Sequence, residues 1–358
     1  MGGPARIVVL PGDGVGPEVT RAAAGVLRAA CDMHHVRIDI VERHVGGAAI
    51  DAEGAPISDA TFAACAGATA ILFGATGSPR WDHLTGDARP GSSLIRLRRA
   101  LQLCVNLRPV RVHPGLEHRT TLRAEIVAGC DIVVVRELAG GIYYGESGRS
   151  GSGADERAFD TMAYSRAEIE RVARPAFELA LRRRQRLVSV DKANVLSSGR
   201  FWREVVDDVA REYPAVSLEH ALVDSFALRL VQRPRDLDVI LAENLLGDIL
   251  SDESAALSGS IGLLPSASLR AGKSAGPALY EPVHGSAPGI AGRGTANPVG
   301  AILSVALMLE HSLDSSAGAA AVSAAVDTVI AAGVLTPDLG GTATTDDVAV
   351  AVIAAMAV

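Results

Sequence analysis

The sequence predicts an α/β protein in which a largely parallel sheet is covered by helices on both faces. Short runs of Val, Ile and Leu recur along the chain and end in turn residues, and Ala-, Leu- and Arg-rich stretches of helical length separate them. Strands that alternate with helices build parallel sheets, and strands buried on both faces carry continuous apolar runs. The expected strands are Ile7–Leu10, Ala70–Phe73, Ile132–Val135, Leu187–Val190 and Val239–Leu241.

The first strand leads into a glycine-rich turn, Gly12–Pro17, and then into a helix near Glu18. The turn has the spacing GxGxG closed by proline, whereas the dinucleotide fingerprint of a Rossmann fold is GxGxxG. We therefore expect a tight turn that feeds the helix and not a Rossmann fold.

The middle of the chain contains a segment that predicts a protruding arm. Ile142–Tyr144 has the composition of a strand, and Gly145–Asp155 after it is rich in glycine and serine. A helix is expected near Arg166. We place the arm at residues 142–165.

Composition limits the class of protein. The 358 residues are 48% hydrophobic and 21% charged, which suits two globular domains, and the net charge of −7 is spread along the chain, which argues against nucleic acid as a partner. The apolar runs near 301–309 and 348–358 are shorter than the roughly 20 residues of a membrane span. The opening residues lack a secretion signal, and the four cysteines are widely spaced, so we expect buried thiols and a cytoplasmic location.

Two carboxylates, Asp248 and Asp252, are four residues apart and share one face if their segment is helical. An isolated pattern of this kind is more often a solvated acidic helix start. Here the apolar strand Val239–Leu241 leads through Asn244 into the pair, which places both at the ligand-binding edge of a parallel sheet. Hard oxygen ligands there suit Mg²⁺ or Mn²⁺.

Lysine is rare in this chain, since only Lys192 and Lys273 accompany the many arginines. Lys192 directly follows the strand Leu187–Val190 and Asp191, where an amine can have a lowered pKa and move a proton as a guanidinium cannot. An ion pair with Asp191 would explain the position equally well.

Three arginines, Arg98, Arg108 and Arg136, each follow an apolar stretch. Their forked donors suit a small acid with more than one carboxylate, provided that all three converge. Spacing alone leaves open whether they do, since any one could be a surface cation.

Eight segments together resemble the β-decarboxylating dehydrogenases, the family of 3-isopropylmalate, isocitrate, homoisocitrate and tartrate dehydrogenases, and the isopropylmalate branch most. The resemblance covers nearly the whole chain and rests on Leu10–Thr20, Gly46–Asp51, Asn106–Pro109, Val135–Gly145, Val190–Leu196, Glu243–Asp252, Leu263–Leu269 and Glu281–Pro288.

The resemblance implies a role for each candidate. The three arginines would bind the malate carboxylates, and Leu94 would contact the substrate side chain. Asp248, Asp252 and Asp224 would hold Mg²⁺ or Mn²⁺, with Lys192 as the base and Tyr143 as the acid that protonates the enolate. Lys192 and Asp224 would reach across a homodimer with shared sites. The expected cofactor-binding residues are Glu281, His284, Gly285, Ser286, Ala287, Gly289 and Asn297.

Three departures from the family pattern leave specificity open. Gly91–Ser93 replaces an acidic residue and a glycine, and Ser92 matches a serine that isocitrate-type relatives place against an extra carboxylate. Gly289 replaces the aspartate that grips the adenosine ribose in NAD-dependent relatives, although the Lys-Tyr pair of NADP users is also absent. Leu246 replaces an aromatic or polar residue of the signature.

By this resemblance we expect the α/β isopropylmalate/isocitrate dehydrogenase-like fold, with residues 1–103 and 259–358 forming a cofactor-side domain and 104–258 a central dimerisation domain. The expected reaction is metal-dependent, NAD-linked oxidative decarboxylation of 3-isopropylmalate to 4-methyl-2-oxopentanoate, in leucine biosynthesis, with NADP as the alternative cofactor. The alternatives are the same chemistry on a more polar 3-substituted malate, and a paralogue that binds a metabolite without turnover.

Overall fold

The computed structural model describes residues 3–272 and 276–357, so Lys273 lies outside the described residues. The strands are β1 (Ala5–Gly12), β2 (Ile38–Glu42), β3 (Ala70–Ala75), β4 (Val105–Arg111), β5 (Asp131–Glu137), β6 (Ser147–Ser150), β7 (Arg157–Asp160), β8 (Arg186–Asp191), β9 (Ser217–Leu222), β10 (Val239–Ala242), β11 (Pro265–Leu269) and β12 (Ala278–Pro282).

The helices alternate with these strands over most of the chain. They are α1 (Gly16–Met33), α2 (Gly47–Glu53), α3 (Asp59–Ala66), α4 (Ser92–Ala100), α5 (Ala124–Val127), α6 (Arg166–Arg182), α7 (Ser197–Ala210), α8 (Val223–Gln232), α9 (Asn244–Glu253), α10 (Ala255–Ser258), α11 (Val299–His311), α12 (Ser316–Ala331) and α13 (Thr345–Met356). None of the helices in the described ranges combines the length and the apolar run that a bilayer span requires.

Ten of the described strands form one mixed sheet in the order β2-β1-β3-β12-β11-β4-β5-β10-β8-β9. All five strands expected from sequence are present within it. The sheet is parallel except around its centre, where β4 pairs antiparallel with β5 and β11, and β11 pairs antiparallel with β12. The three successive antiparallel pairings make β5, β10, β8 and β9 run opposite to β2, β1, β3 and β12. The predicted largely parallel sheet is therefore confirmed within each of these two sets, but the five expected strands are divided between two opposite directions, which the sequence analysis did not anticipate.

Both faces of the sheet are buried, which explains the continuous apolar runs. In β1, Ile7 and Val9 pack with α1 and the C-terminal helices, whereas Val8 and Leu10 pack on the opposite face beside Phe73. Successive side chains of a strand point to opposite faces, so a strand covered on both sides must be apolar throughout.

The arm is a two-stranded hairpin of β6 and β7, which lies within the predicted range 142–165. The expected strand at Ile142–Tyr144 is wrong, because Gly141–Tyr143 forms a 3₁₀ turn. Gly141 has a φ of +72°, a left-handed conformation that interrupts an extended strand and favours glycine.

The sheet order separates the chain into two sets of strands. One half of the sheet consists of β1 to β3 with β11 and β12, and the other half consists of β4, β5 and β8 to β10. We propose that these halves correspond to the two domains expected from the sequence, with boundaries near residues 103 and 258. The junction between the halves is the pairing of β4 with β11.

Candidate active site

The C-terminal end of β10 places the two predicted metal-binding carboxylates. β10 ends at Ala242, Glu243 caps the next helix by accepting hydrogen bonds from the backbone N–H groups of Leu245 and Leu246, and α9 follows. Asp248 and Asp252 therefore lie one helical turn apart on the same face, as the sequence predicted. Position 247 beside them favours glycine, because a Cβ there would stand 2.8 Å from Cγ of Arg136.

Asp248 and Asp252 contact two buried arginines. Nη1 of Arg108 lies 3.1 Å from Oδ1 of Asp252, and its Nη2 lies 3.4 Å from Oδ1 of Asp248. Nη1 of Arg136 donates to the same Oδ1 of Asp248. Burial lowers the pKa of both guanidinium groups, and the neighbouring carboxylates oppose that effect. Two arginines expected to bind substrate carboxylates thus meet the aspartates expected to bind the metal.

Arg98 completes the convergence of the three arginines. Its Nη2 donates to Oε1 of Glu281 at 2.7 Å, and its Nε is buried without a hydrogen-bond partner among the described residues. Arg98, Arg108 and Leu94 line a cavity of about 210 Å³. An unsatisfied buried N–H is costly, so this donor is available for an acceptor that enters the cavity.

Tyr143 extends its phenol towards the same aspartates. Its hydroxyl donates to Oδ2 of Asp248 at 3.0 Å, and its side chain is 52% exposed. Partial burial and the nearby Asp248 carboxylate raise the pKa of Tyr143, which keeps the phenol protonated at neutral pH. A protonated phenol beside the site is suited to donate a proton.

Lys192 and Asp224 form an ion pair with each other. Nζ of Lys192 stands 2.8 Å from Oδ1 of Asp224, and this contact lowers the pKa of the carboxylate. The alternative partner Asp191 instead binds Arg203 and the backbone N–H of Ala193, so the proposed Lys192–Asp191 pair is wrong. Within the described chain, neither Lys192 nor Asp224 is recorded in contact with Asp248 or Asp252.

The donor set for a divalent cation is incomplete within one chain. Asp248 and Asp252 supply hard oxygen atoms, but no three His, Cys, Asp or Glu residues of the described ranges are grouped so that they could hold a metal. Asp224 is largely exposed and is held by Lys192. Two carboxylates fit Mg²⁺ or Mn²⁺ when substrate oxygens, water or a further carboxylate complete the set.

The predicted cofactor-binding stretch forms another wall of the cavity. Glu281, His284 and Gly285 line it together with Arg98. Nε2 of His284 is buried without a partner among the described atoms, and burial lowers the pKa of His284, which keeps it neutral. The space beside Gly285 is open, since a Cβ there would meet no atom within 4 Å. These features fit a polar ligand that approaches the backbone closely.

The glycine-rich turn after β1 supports this stretch. The backbone N–H of Val15 donates to the carbonyl of Ser286 at 2.8 Å, and a Cβ on Gly14 would stand 1.9 Å from that oxygen. The carboxylate of Asp13 accepts hydrogen bonds from the N–H groups of Gly47, Ala48 and Gly77. The expected tight turn is confirmed, and it carries the loop that contains Ser286 and Ala287.

Gly289 and Asn297 lie beyond the cavity wall. A Cβ on Gly289 would meet nothing within 4 Å, so the aspartate of NAD-dependent relatives is replaced by open space. Nδ2 of Asn297 donates to Asp338 at 3.0 Å, while its Oδ1 accepts from the N–H of Val299. The carboxamide of Asn297 is therefore held in one orientation.

Ser92 is engaged by the backbone that precedes its helix. Its hydroxyl oxygen lies 2.7 Å from the carbonyls of both Asp87 and Arg89, so its one proton is directed to backbone oxygens. Leu94, two residues later, faces the cavity. The Ser92 hydroxyl, which could recognise a polar substituent, is therefore occupied. Leu94, which could recognise an apolar substituent, is available.

Sequence reasoning missed three groups that hold the arginines. Ser251 accepts from Arg108, Oδ1 of Asn244 accepts from both Nε and Nη2 of Arg136, and Tyr164 binds the backbone N–H of Asn244. Ser251 and Asn244 lie inside the segment that carries the two aspartates, which was the available signal. Tyr164 lies far from that segment in sequence, and no local pattern marks it.

Comparison with known protein families agrees with the fold and the site geometry described above. The model of the family described as isocitrate/isopropylmalate dehydrogenase matches residues 6–352. The chain belongs to this family. It is therefore a decarboxylating dehydrogenase, and the resemblance found in the sequence is confirmed together with the fold.

Individual members of the family match over nearly their whole length. The chain is 52% identical over 339 residues to a protein named 3-isopropylmalate dehydrogenase of Vibrio cholerae serotype O1, covering 94% of this chain and 93% of that one. It is 51% identical to the protein of that name from Pseudoalteromonas translucida, covering 97% and 98%. The crystal structure of isocitrate dehydrogenase from Methylococcus capsulatus superposes with a TM-score of 0.87 at 32% identity, covering 98% and 99%.

Proposed function

We propose that the protein catalyses the metal-dependent, NAD-linked oxidative decarboxylation of 3-isopropylmalate to 4-methyl-2-oxopentanoate, the step of leucine biosynthesis that its named relatives suggest. The observation that carries the proposal is the single cavity in which Arg98 and Arg108 face the stretch from Glu281 to Gly285. A substrate carboxylate and a cofactor would meet there.

The arginines orient the substrate. The free Nε–H of Arg98 and the forks of Arg108 and Arg136 bind the two malate carboxylates by charge-assisted hydrogen bonds. Desolvation strengthens these bonds because the guanidinium groups of Arg108 and Arg136 are almost fully buried. The substrate is thereby held between the aspartates of α9 and the cofactor stretch.

Protons move at two residues. Lys192 takes the proton of the substrate hydroxyl as the carbinol carbon is oxidised, and Tyr143 protonates the enolate carbon after carbon dioxide leaves. A nicotinamide bound at the stretch from Glu281 to Gly285 would take up the hydride, and a divalent cation held by Asp248 and Asp252 would stabilise the enolate charge. The raised pKa of Tyr143 suits the acid role, since the phenol keeps its proton until the enolate forms.

The proposed site is shared between two copies of the chain. Lys192 and Asp224 pair with each other, and exposed apolar side chains lie close to them in sequence, namely Val195, Leu196 and Leu228. Ile249 is similarly exposed on α9, beside Asp248. A homodimer that covers these side chains would bring Lys192 and Asp224 of one copy to Asp248 and Asp252 of the other. This arrangement would also bring the Asp224 carboxylate to the proposed metal ligands.

An apolar substrate side chain is favoured by the contacts of Ser92 and Leu94. A carboxylate substituent needs a donor, and the Ser92 hydroxyl donates to backbone carbonyls. Leu94 presents hydrocarbon to the cavity beside Arg98. Isopropylmalate is therefore preferred over isocitrate, homoisocitrate and tartrate.

Nicotinamide reduction by the purified protein, followed by absorbance with Mg²⁺ or Mn²⁺, tests the proposal. We expect turnover of 3-isopropylmalate with NAD at a kcat/KM at least tenfold above that of the polar malates and of NADP, about 1.4 kcal/mol in transition-state binding. Preference for a polar malate would refute the substrate assignment, and preference for NADP would refute the cofactor assignment. Absence of calorimetric binding of either nucleotide would favour the paralogue without turnover.

Variants of Lys192, the proposed base, and of Asp248, a proposed metal ligand, test these two roles separately. Lys192→Ala should lose turnover far more than substrate affinity, whereas Lys192→Arg tests whether a cation alone suffices. Asp248→Asn should abolish metal-dependent activity. Near-normal rates of Lys192→Ala, or wild-type activity that persists in a chelator, would remove the corresponding role.

A further inference from the structure

Tyr164 lies at the base of the arm, between β7 and the first residue of α6, and its hydroxyl is buried against the start of α9. The hydroxyl donates to Oε2 of Glu243 at 3.1 Å and accepts from the backbone N–H of Asn244 at 3.0 Å. Glu243 uses its two oxygens to cap α9 at the same time. The arm is thus joined directly to the helix that carries Asp248.

Asn244 transmits this contact to two further parts of the site. Its Oδ1 accepts from Nε and Nη2 of Arg136 at 3.1 and 2.7 Å, and its Nδ2 donates to the carbonyl of Gly140 at 2.9 Å. Gly140 immediately precedes the 3₁₀ turn that presents Tyr143. Asn244 alone therefore connects the Tyr164 hydroxyl to Arg136, and Asn244 with the Gly140 carbonyl connects it to the turn that carries Tyr143.

The ring of Tyr164 packs directly against the turn. A Cβ on Gly140 would stand 2.9 Å from Cε1 of Tyr164, and one on Gly141 would stand 2.2 Å from its hydroxyl oxygen. The opposite side of the ring meets Trp202 edge-on, with ring centroids 5.5 Å apart. The backbone of the turn approaches the phenol this closely only because both residues are glycine.

The same ring borders the pocket that contains Lys192. Tyr164, Trp202 and Glu243 line a small cavity together with Lys192 and Leu246. Tyr164 consequently touches or borders the elements that carry each proposed catalytic group: the turn of Tyr143, the start of α9 and the loop of Lys192.

We propose that Tyr164 is a positioning residue for the decarboxylating dehydrogenase reaction, whose hydroxyl holds Asn244, and through it Arg136 and the Tyr143 turn, in the arrangement that the reaction requires. This inference rests on the proposed function. A tyrosine is needed because one hydroxyl must donate to a buried carboxylate and accept from a buried N–H in the same place, which the ring of phenylalanine cannot do. Tyr164 itself touches neither substrate nor cofactor.

Tyr164→Phe is the variant that tests this role, since it removes the hydroxyl and keeps the ring against Trp202 and the glycines. We expect kcat/KM for 3-isopropylmalate to fall by about 10- to 100-fold, because a misplacement near 1 Å at a reacting group has that effect. KM for NAD should stay within about twofold, since the cofactor stretch makes no recorded contact with this hydroxyl. If Tyr164 only stabilised the fold, Tyr164→Phe would lower the melting temperature but would not affect the constants for 3-isopropylmalate more than those for NAD.

Tyr213→Phe is the matched control. Its ring stacks on Phe177 with centroids 5.2 Å apart, away from the candidate active site, and the variant should keep both kinetic constants. A Tyr164→Phe enzyme with kcat/KM within twofold of the wild type would overturn the inference, as would an equal loss for substrate and cofactor. If Tyr164→Phe does not fold, Glu243→Gln is the second variant: it weakens the hydroxyl contact and one cap bond of α9, and its loss must again fall on 3-isopropylmalate and not on NAD. A wild-type protein that is inactive on every 3-substituted malate would instead refute the proposed function.

Discussion

At the scale of single residues, the site is organised by buried arginines that already have partners. Arg108 and Arg136 bind Asp248 and Asp252, and Arg98 binds Glu281. Burial disfavours a charged guanidinium, so each requires a carboxylate in the absence of ligand. The three arginines therefore determine the affinity of the site for anions. Ser92, in contrast, has no free donor to contribute.

Ser92→Ala should leave the preference for 3-isopropylmalate over isocitrate unchanged within about twofold, because the lost proton serves Asp87 and Arg89. Leu94→Ala is the contrasting variant, and it should lower kcat/KM for isopropylmalate by about tenfold, since a lost apolar contact of this size contributes about 1–3 kcal/mol. Steady-state kinetics on both substrates measures the ratio. A Ser92→Ala enzyme whose preference moves towards either substrate by tenfold would restore the serine as a specificity residue.

At the scale of elements, the turn between β1 and α1 fits the cofactor stretch by close backbone contact. Gly14 has a φ of +60° and faces the carbonyl of Ser286, which also accepts from Val15. The two loops approach so closely that a single methyl group would have to displace one of them. The conformation of the turn is consequently coupled to that of the proposed cofactor-binding stretch.

Gly14→Ala should destabilise the protein by about 1–3 kcal/mol and weaken NAD binding, because the methyl group meets Ser286 and the backbone is left-handed. Gly25→Ala in α1 is the control, since its nearest atom would be 3.9 Å away and helical Ala is favoured over Gly by about 0.5–1 kcal/mol. Urea denaturation and calorimetric titration of NAD measure the two effects. Equal stability of the two variants would contradict the contact.

A second contact between elements joins β4 to α12. Nδ1 of His113 lies 2.7 Å from Oδ1 of Asp327, and Nη2 of Arg111 binds the other oxygen. Burial alone would raise the pKa of Asp327, but the hydrogen bonds from His113 and Arg111 outweigh it and leave the pKa below its usual value. These residues bridge the two proposed domains.

Asp327→Asn should lower the free energy of unfolding by about 1–3 kcal/mol at neutral pH. A carboxylate with a lowered folded-state pKa stabilises the fold above its unfolded-state pKa of about 3.9, and that stabilisation is lost as the pH falls through the folded-state value. The difference between wild type and variant should therefore shrink in acid, as denaturant titrations at several pH values would show. Asp346→Asn, which breaks an exposed pair with Arg21, should change stability by less than about 1 kcal/mol at every pH.

At the scale of the whole molecule, the sheet is continuous, but the proposed catalytic groups form two separate sets of contacts. Asp248 and Tyr143 meet within one chain, whereas Lys192 and Asp224 pair with each other elsewhere. Leu228 follows Asp224 by one turn of α8 and is 59% exposed. An exposed apolar residue one turn from Asp224 favours association with a second copy of the chain.

Leu228→Glu should shift the protein from dimer to monomer and remove most activity, because a charge cannot be buried unpaired at an interface. Val350→Glu provides the matched control, since Val350 is similarly exposed at 66% but lies on α13. Light scattering after gel filtration gives the mass, and the nicotinamide assay gives the activity. A monomeric wild type with full activity would contradict the shared site.

The sequence by itself determined the family, the five apolar strands and the helical aspartate pair. These features are local, because they depend on runs and spacings that lie within one segment of the chain. The same reasoning also placed a strand at Ile142–Tyr144, where the left-handed Gly141 starts a 3₁₀ turn.

Only the tertiary structure decided which groups meet. Arg108 and Arg136 meet because β4 pairs with β5, and Arg98 joins them because α4 lies against β12, where Glu281 accepts from it. The contacts of Tyr164 depend on the arm returning to α9. The assignment of Lys192 to Asp224 instead of Asp191 likewise depends on which side chain faces it across space. Sequence spacing records separation along the backbone, whereas hydrogen bonds and ion pairs depend on separation between atoms after folding.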